Sequence, residues 1–198
     1  YTFDKLVQDL IRLCDMLGVK RSVLCGLSMG GTTGLGVAID HDQRLAAYIG
    51  CDLPHHSPAA FIEAWNERKA MAEQGGMKSM AEPTATRWFT KDFYSNADNE
   101  NTMEKIKTMI STTKLDGFLG CAGALQTISY HGRIEKIKVP TLFISGEDDA
   151  AAGPKSMEPL LGMGSGSSMH VVPNAGHIAN MENPEDFNAA LLGFLNNL

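Results

Sequence analysis

The stretch "KRSVLCGLSMGGTTGLGVAIDH" limits the architecture more than any other part of the chain. A short apolar run, "KRSVLC", fits a buried strand; glycines follow at once, and "GLGVAIDH" continues as a helix. Strand, tight turn and helix thus succeed one another with no room for a loop. Within the turn, Gly26-Leu27-Ser28-Met29-Gly30 places a serine between two glycines. That spacing lets a sharp turn lift the hydroxyl out of the sheet, because residues without a Cβ allow neighbouring backbone to approach. A phosphate-binding loop is the competing reading. It is disfavoured because no Lys-Ser or Lys-Thr pair follows and G-x-G-x-x-G is absent.

The rest of the chain alternates in a compatible way. "TFDKLVQDLIRLCDMLGV" puts Phe3, Leu6, Val7, Leu10, Ile11, Leu13 and Leu17 on one stripe, predicting a helix over 2–17 with Thr2 as N-cap and Gly18 as stop. "LAAYIGCDL" reads as a second buried strand. "PTLFISGEDD" is a third, opened by Pro140 and ended by Gly146 and a run of acids, and "SMHVVP" is the last. Asn183 as cap, Pro184 at the first position and acids in the first turn open a final helix, with Phe187, Ala190, Leu191, Phe194, Leu195 and Leu198 along one face. Strands alternating with helices predict an α/β fold with a mostly parallel sheet covered on both faces.

From Ser57 to Tyr130 the strand pattern stops. Helical pieces separated by glycine, proline or polar breaks take its place, predicting a helical lid at 57–130 between core segments 1–56 and 131–198. An insertion of this kind lies over the carboxyl ends of the strands, where ligands bind in such sheets. Simple helical packing is the alternative.

An acid and then a base follow the serine in the chain, the two partners that chemistry at Ser28 requires. The acid run Glu147-Asp148-Asp149 ends a strand, so its carboxylates face the same sheet edge as Ser28, and His177 stands between the last strand and the final helix. An imidazole can take the serine proton, and a carboxylate can fix the imidazole tautomer. Asp149 is the preferred acid, with Asp148 and Glu147 as register alternatives and Asp52, after the second strand, as another. The backbone N–H of Met29, at the start of a helix, is the expected oxyanion donor. His41, His55, His56, His131 and His170 are read as satisfied histidines without a role.

Composition narrows the classes of function. With 198 residues, 43% apolar and 20% charged, the chain suits one globular core. A net charge of -6 gives no reason to approach phosphate backbones or anionic lipid, so neither nucleic acid nor membrane is an expected partner. No apolar stretch approaches a membrane span and no signal-peptide pattern opens the chain, predicting a cytoplasmic location. The four cysteines lack zinc spacing and disulfide density, so reduced thiols and no metal site are expected.

"FDKLVQDLIRLCDMLGVKRSVLCGLSMGG", "VPTLFISGEDD" and "VVPNAGHIANMENPEDFNAALLGFL" resemble the corresponding parts of α/β-hydrolase-fold enzymes, and "TATRWFT" with "GFLGCAGALQTI" resembles the 3-oxoadipate enol-lactonase branch. The resemblance implies a cofactor-free serine hydrolase acting on a small ester or lactone, with Ser28 as nucleophile, His177 as base and Asp149 as acid. It also implies a pocket lined by Leu27, Met29, Trp88 and Ile178, with Arg87 or a nearby lid cation holding a substrate carboxylate; for Trp88, lid core is the alternative. "CDLPHHSP" departs from the small-residue text of that branch. The resemblance further implies an N-terminal segment of the same protein, upstream of Tyr1, that pairs with the strand at 20–25, donates the second oxyanion N–H from a His-Gly loop and is needed for activity. A ligand-binding receptor on the same scaffold with slow or no turnover, or a non-catalytic hydrolase fragment, is the second class of function to be weighed.

Overall fold

A computed structural model describes residues 1–162 and 166–198. Helix α1 (Phe3–Met16) begins where the Thr2 hydroxyl accepts the Lys5 N–H at 3.2 Å, and it buries Phe3 and Val7. Gly18, at φ 69°, turns the chain away from the helix end. Strand β1 (Ser22–Leu27) runs into helix α2 (Met29–Asp40) through Ser28 alone. Strand β2 (Leu45–Cys51) follows. After the helical insertion come β3 (Thr141–Gly146), the one-turn α7 (Pro154–Met157), β4 (Ser167–Val172), the short α8 (Ala179–Glu182) and α9 (Pro184–Leu195). Asn183 caps α9 by accepting the Asp186 N–H at 3.4 Å.

The four strands form one sheet in the order β1-β2-β3-β4, all parallel. Strand β2 sends Tyr48 to one face and Ile49 to the other, and β3 does the same with Phe143 and Ile144; all four are fully buried. Tyr48 and Phe143 meet edge to face at 6.1 Å in a core that includes Phe3, Val7 and Leu35 from α1 and α2. The opposite face packs Ile49, Leu142 and Ile144 against Phe187, Ala190 and Phe194 of α9. Two-sided burial explains why these strands read as continuous apolar runs. Strand β1 is an edge of the sheet, and Val23 on it is 37% exposed.

Register sets up the site. Leu27 lies beside Cys51, and Cys51 beside Ile144, so the strands end nearly level. Ser28, Asp52 and the acid loop after Gly146 therefore leave the sheet at one edge.

Over that edge stands the insertion between β2 and β3: α3 (Ala59–Trp88), α4 (Lys91–Ser95), α5 (Glu100–Ser111) and α6 (Leu115–Leu125). It has its own apolar cluster, with Met77, Met80, Phe89, Met103 and Ile106. The sequence predicts a break between "SPAAFIEAWNERKAMAEQ" and "EPTATRWF". The break is a bend inside α3 at Gly76, whose φ of 68° suits glycine alone at low cost, while Pro83 sits within the second half of the helix. Backbone pairing closes the neck of the insertion, with the Tyr130 N–H donating to the His55 carbonyl at 3.1 Å and the Ser57 N–H to that of Ile128 at 3.1 Å. Among the described residues no helix is long and apolar enough to cross a membrane.

Candidate active site

Ser28 is held in a conformation that non-glycine residues avoid, with φ 51° and ψ -118°. Such backbone costs of order 1–3 kcal/mol and persists only where its surroundings enforce it. Here the Ser28 N–H donates to the Cys51 carbonyl at 2.8 Å, and the Ser28 carbonyl accepts the Thr32 N–H at 2.9 Å and hydroxyl at 3.2 Å. The Thr32 hydroxyl also reaches the Pro54 carbonyl at 2.7 Å, so the turn is tied to the loop after β2. A Cβ at Gly26 would lie 2.5 Å from the Gly30 carbonyl group, and one at Gly31 would lie 2.8 Å from the Gly26 carbonyl oxygen. At Gly30 a Cβ would meet nothing, so the close approach that the motif requires runs between Gly26 and the Gly30–Gly31 backbone.

The hydroxyl so presented meets an imidazole. Ser28 Oγ lies 3.0 Å from His177 Nε2, and His177 Nδ1 lies 2.8 Å from Asp149 Oδ2. Both His177 and Asp149 are buried, at 4% and 8% exposure. Oδ1 of Asp149 also accepts the Ala151 N–H at 2.7 Å, and Oδ2 the Ala152 N–H at 3.1 Å. Burial opposes the Asp149 charge, but the His177 contact and these two amides outweigh it and hold the carboxyl below its ordinary value. The other acids are placed elsewhere. Glu147 and Asp148 are exposed, and Asp52 lies buried under the acid loop.

A cavity adjoins this chain of contacts. Leu27, Met29, Arg87, Trp88 and Ile178 line this cavity of about 580 Å³, which is also lined by Ser28 and His177. Trp88 stands with its ring 6.2 Å from the His177 ring, and its carbonyl accepts the Ile178 N–H at 3.3 Å. Met29 is the first residue of α2, so its N–H has no acceptor within the helix.

Two side chains at the site are not named from the sequence, Arg68 and Glu182. Arg68 lines the same cavity, its guanidinium 4.8 Å from the centre of the Trp65 ring. Burial first, then the charge of Arg68, depress the Arg87 guanidinium to about 10, against the pull of Asp149. No acid lines the cavity among the described residues, so two cations face a largely apolar space with no ion-pair partner among those residues. Glu182, at the end of α8, accepts the Gly176 N–H at 2.8 Å and the Thr90 N–H at 2.9 Å, joining the histidine loop to the insertion. The Glu182–Thr90 bond pairs residues 92 apart in the chain, which no local pattern signals, whereas Trp65 and Arg68 stand three apart on α3, a spacing that does place them on one helix face. Among the described residues no three His, Cys, Asp or Glu side chains converge as a metal site.

A parallel sheet whose carboxyl edge carries a strained serine, a histidine and a carboxylate in hydrogen-bonded series defines the serine-hydrolase class built on an α/β scaffold. The chain belongs to the α/β hydrolase fold family, whose model matches residues 1–184. It is 30% identical to 3-oxoadipate enol-lactonase 2 of Acinetobacter baylyi over 191 residues, covering 96% of this chain and 70% of that protein. Among solved structures, the enol-lactonase from Burkholderia xenovorans LB400 superposes with a TM-score of 0.92 at 30% identity, over 99% of this chain and 74% of that one. A thermophilic esterase from Thermogutta terrifontis does so at 0.87 and 30%, over 100% and 73%.

Proposed function

We propose that the protein hydrolyses an ester or lactone bearing a carboxylate, through an acyl-enzyme on Ser28. The uninterrupted Ser28–His177–Asp149 contact series carries this reading. Ser28 Oγ attacks the carbonyl carbon while His177 Nε2 takes its proton; Asp149 keeps the proton on Nδ1 and stabilises the imidazolium. The Met29 N–H donates to the developing oxyanion, a contribution of about 3 kcal/mol for one such donor. Collapse of the tetrahedral intermediate breaks the C–O bond of the ester, and His177 returns the proton to the leaving oxygen. In a lactone that oxygen stays attached to the acyl group. Water, deprotonated by His177, then releases the acid and restores Ser28.

The preference for an anionic substrate rests on Arg68 and Arg87, two guanidiniums that form no ion pair among the described residues and line a largely apolar cavity. A carboxylate there would supply what the protein withholds. The relatives named as enol-lactonases support a lactone among the ester-like substrates.

Labelling with a fluorophosphonate followed by peptide mapping tests the nucleophile. The tag is expected on Ser28 and nowhere in Ser28→Ala, which keeps its fold and loses turnover. Full activity in Ser28→Ala ends the proposal.

A further inference from the structure

Beneath the acid loop lies a second carboxyl that the reaction described above does not use. Asp52 is 0% exposed and stands just past β2, at a left-handed φ of 42°. Its Oδ1 accepts the Ser145 hydroxyl at 3.0 Å and the Gly146 N–H at 2.9 Å. Oδ2 receives no donor, and the side chain stands within hydrogen-bonding reach of Asp149. The groups that face Asp52 are the Asp149 carboxyl from the acid loop, Ser145 and Gly146 from β3, and the Cys51 thiol of the adjacent residue. His177 and Arg87 act on Asp149, and no cation pairs with Asp52 among the described residues.

Two carboxyls in contact away from water cannot both hold a charge at low cost. One of them must keep a proton. Asp149 already receives the His177 ring and two backbone amides, donors that favour its charged form. Asp52 receives two donors on one oxygen and has nothing to satisfy the other, which suits an O–H pointing outward.

We propose that Asp52 is a positioning residue that stays protonated and donates its O–H to Asp149, fixing the carboxylate that orients His177. The inference rests on reading Asp149 as the acid of the site. Burial foremost, and then the charge of Asp149, push the Asp52 carboxyl up to about 8, while Asp149 moves the opposite way. Paired carboxyls whose environments drive them apart in this manner divide into a neutral donor and a charged acceptor. Above about pH 8 the donor becomes a second anion pressed against Asp149.

Infrared spectra of the full-length protein and its Asp52→Asn variant test this without relying on turnover. At pH 7 the wild type is expected to show a protonated-carboxyl C=O band that the variant lacks and that fades as pH passes about 8. In kinetics, Asp52→Ala should lower kcat about tenfold with little change in KM, the size expected for loss of an orienting partner. Asp52→Asn supplies an N–H donor at every pH, so it should rescue turnover relative to Asp52→Ala and remove the alkaline fall in kcat. Absence of the band at pH 7, or an Asn variant as impaired as the Ala variant, overturns the proposal. Should no variant and no wild-type sample turn over any ester, the hydrolase reading fails, and the infrared band still decides whether Asp52 carries the proton.

Discussion

Glu182 reaches across to Thr90, 92 residues earlier in the chain, accepting its backbone N–H at 2.9 Å and its hydroxyl through the same oxygen. The second oxygen accepts the Gly176 N–H at 2.8 Å, one residue before His177. One carboxylate therefore joins the junction of α3 and α4 in the insertion to the loop that carries the base.

Replacing Glu182 by Ala strands two part-buried amides, which costs about 1–3 kcal/mol for each group left without an acceptor. The expected outcome is a lower melting temperature together with a lower kcat, because the His177 loop loses its tie. Glu182→Gln keeps one acceptor oxygen and should fall between the two proteins. Thermal unfolding and steady-state kinetics on the three proteins measure this.

Backbone strain at Ser28 predicts a trade between activity and stability. Ser28→Gly and Ser28→Ala both remove the nucleophile, but only glycine relaxes φ 51°. Glycine should leave the protein about 1 kcal/mol more stable than alanine at this position, after allowance for its greater unfolded-state freedom. Chemical denaturation of the two inactive variants gives the difference directly.

Charge selectivity should reside in the insertion. Arg87→Met is expected to raise KM for a carboxylate-bearing ester about 10- to 100-fold, the loss of one or two charge-assisted hydrogen bonds. A neutral ester of similar size should be nearly unaffected. Arg68→Met should act in the same direction, and competition by simple dicarboxylates should weaken in both variants. Equal KM changes for charged and neutral esters would argue for a packing role instead.

Folding stability should also depend on Asp52 with a definite sign. Its folded-state value, raised to about 8, lies above the roughly 3.9 of an unfolded aspartate. The native state therefore binds the proton more tightly, and this contribution is complete below about pH 4 and lost as pH rises toward 8. Asp52→Asn should accordingly melt close to the wild type at pH 4 and increasingly above it up to pH 8, with a constant margin beyond. Asp149 works oppositely. Its depressed value stabilises the fold above the ordinary carboxylate range and is lost on acidification.

Much of the fold can be read along the chain because its signals act over a few residues. Thr2 and Gly18 bound α1, Asn183 and Pro184 open α9, and the strand that runs directly into "GLSMGG" leaves Ser28 nowhere but on a sharp turn. The order of serine, acid and histidine follows from the same local reading, since each residue ends or follows a predicted strand. Within the insertion the reading is weaker. Its helical character is evident, but Pro83 looks like a break and is not, while Gly76 carries the bend.

Three choices belonged to the tertiary structure. Four acids stand near the sheet edge, and only the path of the loop after β3, pinned by the Asp149 N–H to the Gly146 carbonyl at 3.2 Å, turns Asp149 inward and leaves Glu147 and Asp148 in solvent. Arg68 and Arg87 share one cavity because α3 bends between them, and nothing in the residues themselves tells an inward arginine from an outward one. Asp52 acquires its neutral partnership from strand register, which brings residue 52 under a loop nearly a hundred positions away. Caps, turns and periodicity are properties of neighbours in sequence. Burial and charge depend on who the neighbours in space are, and those are settled only when the sheet closes its register.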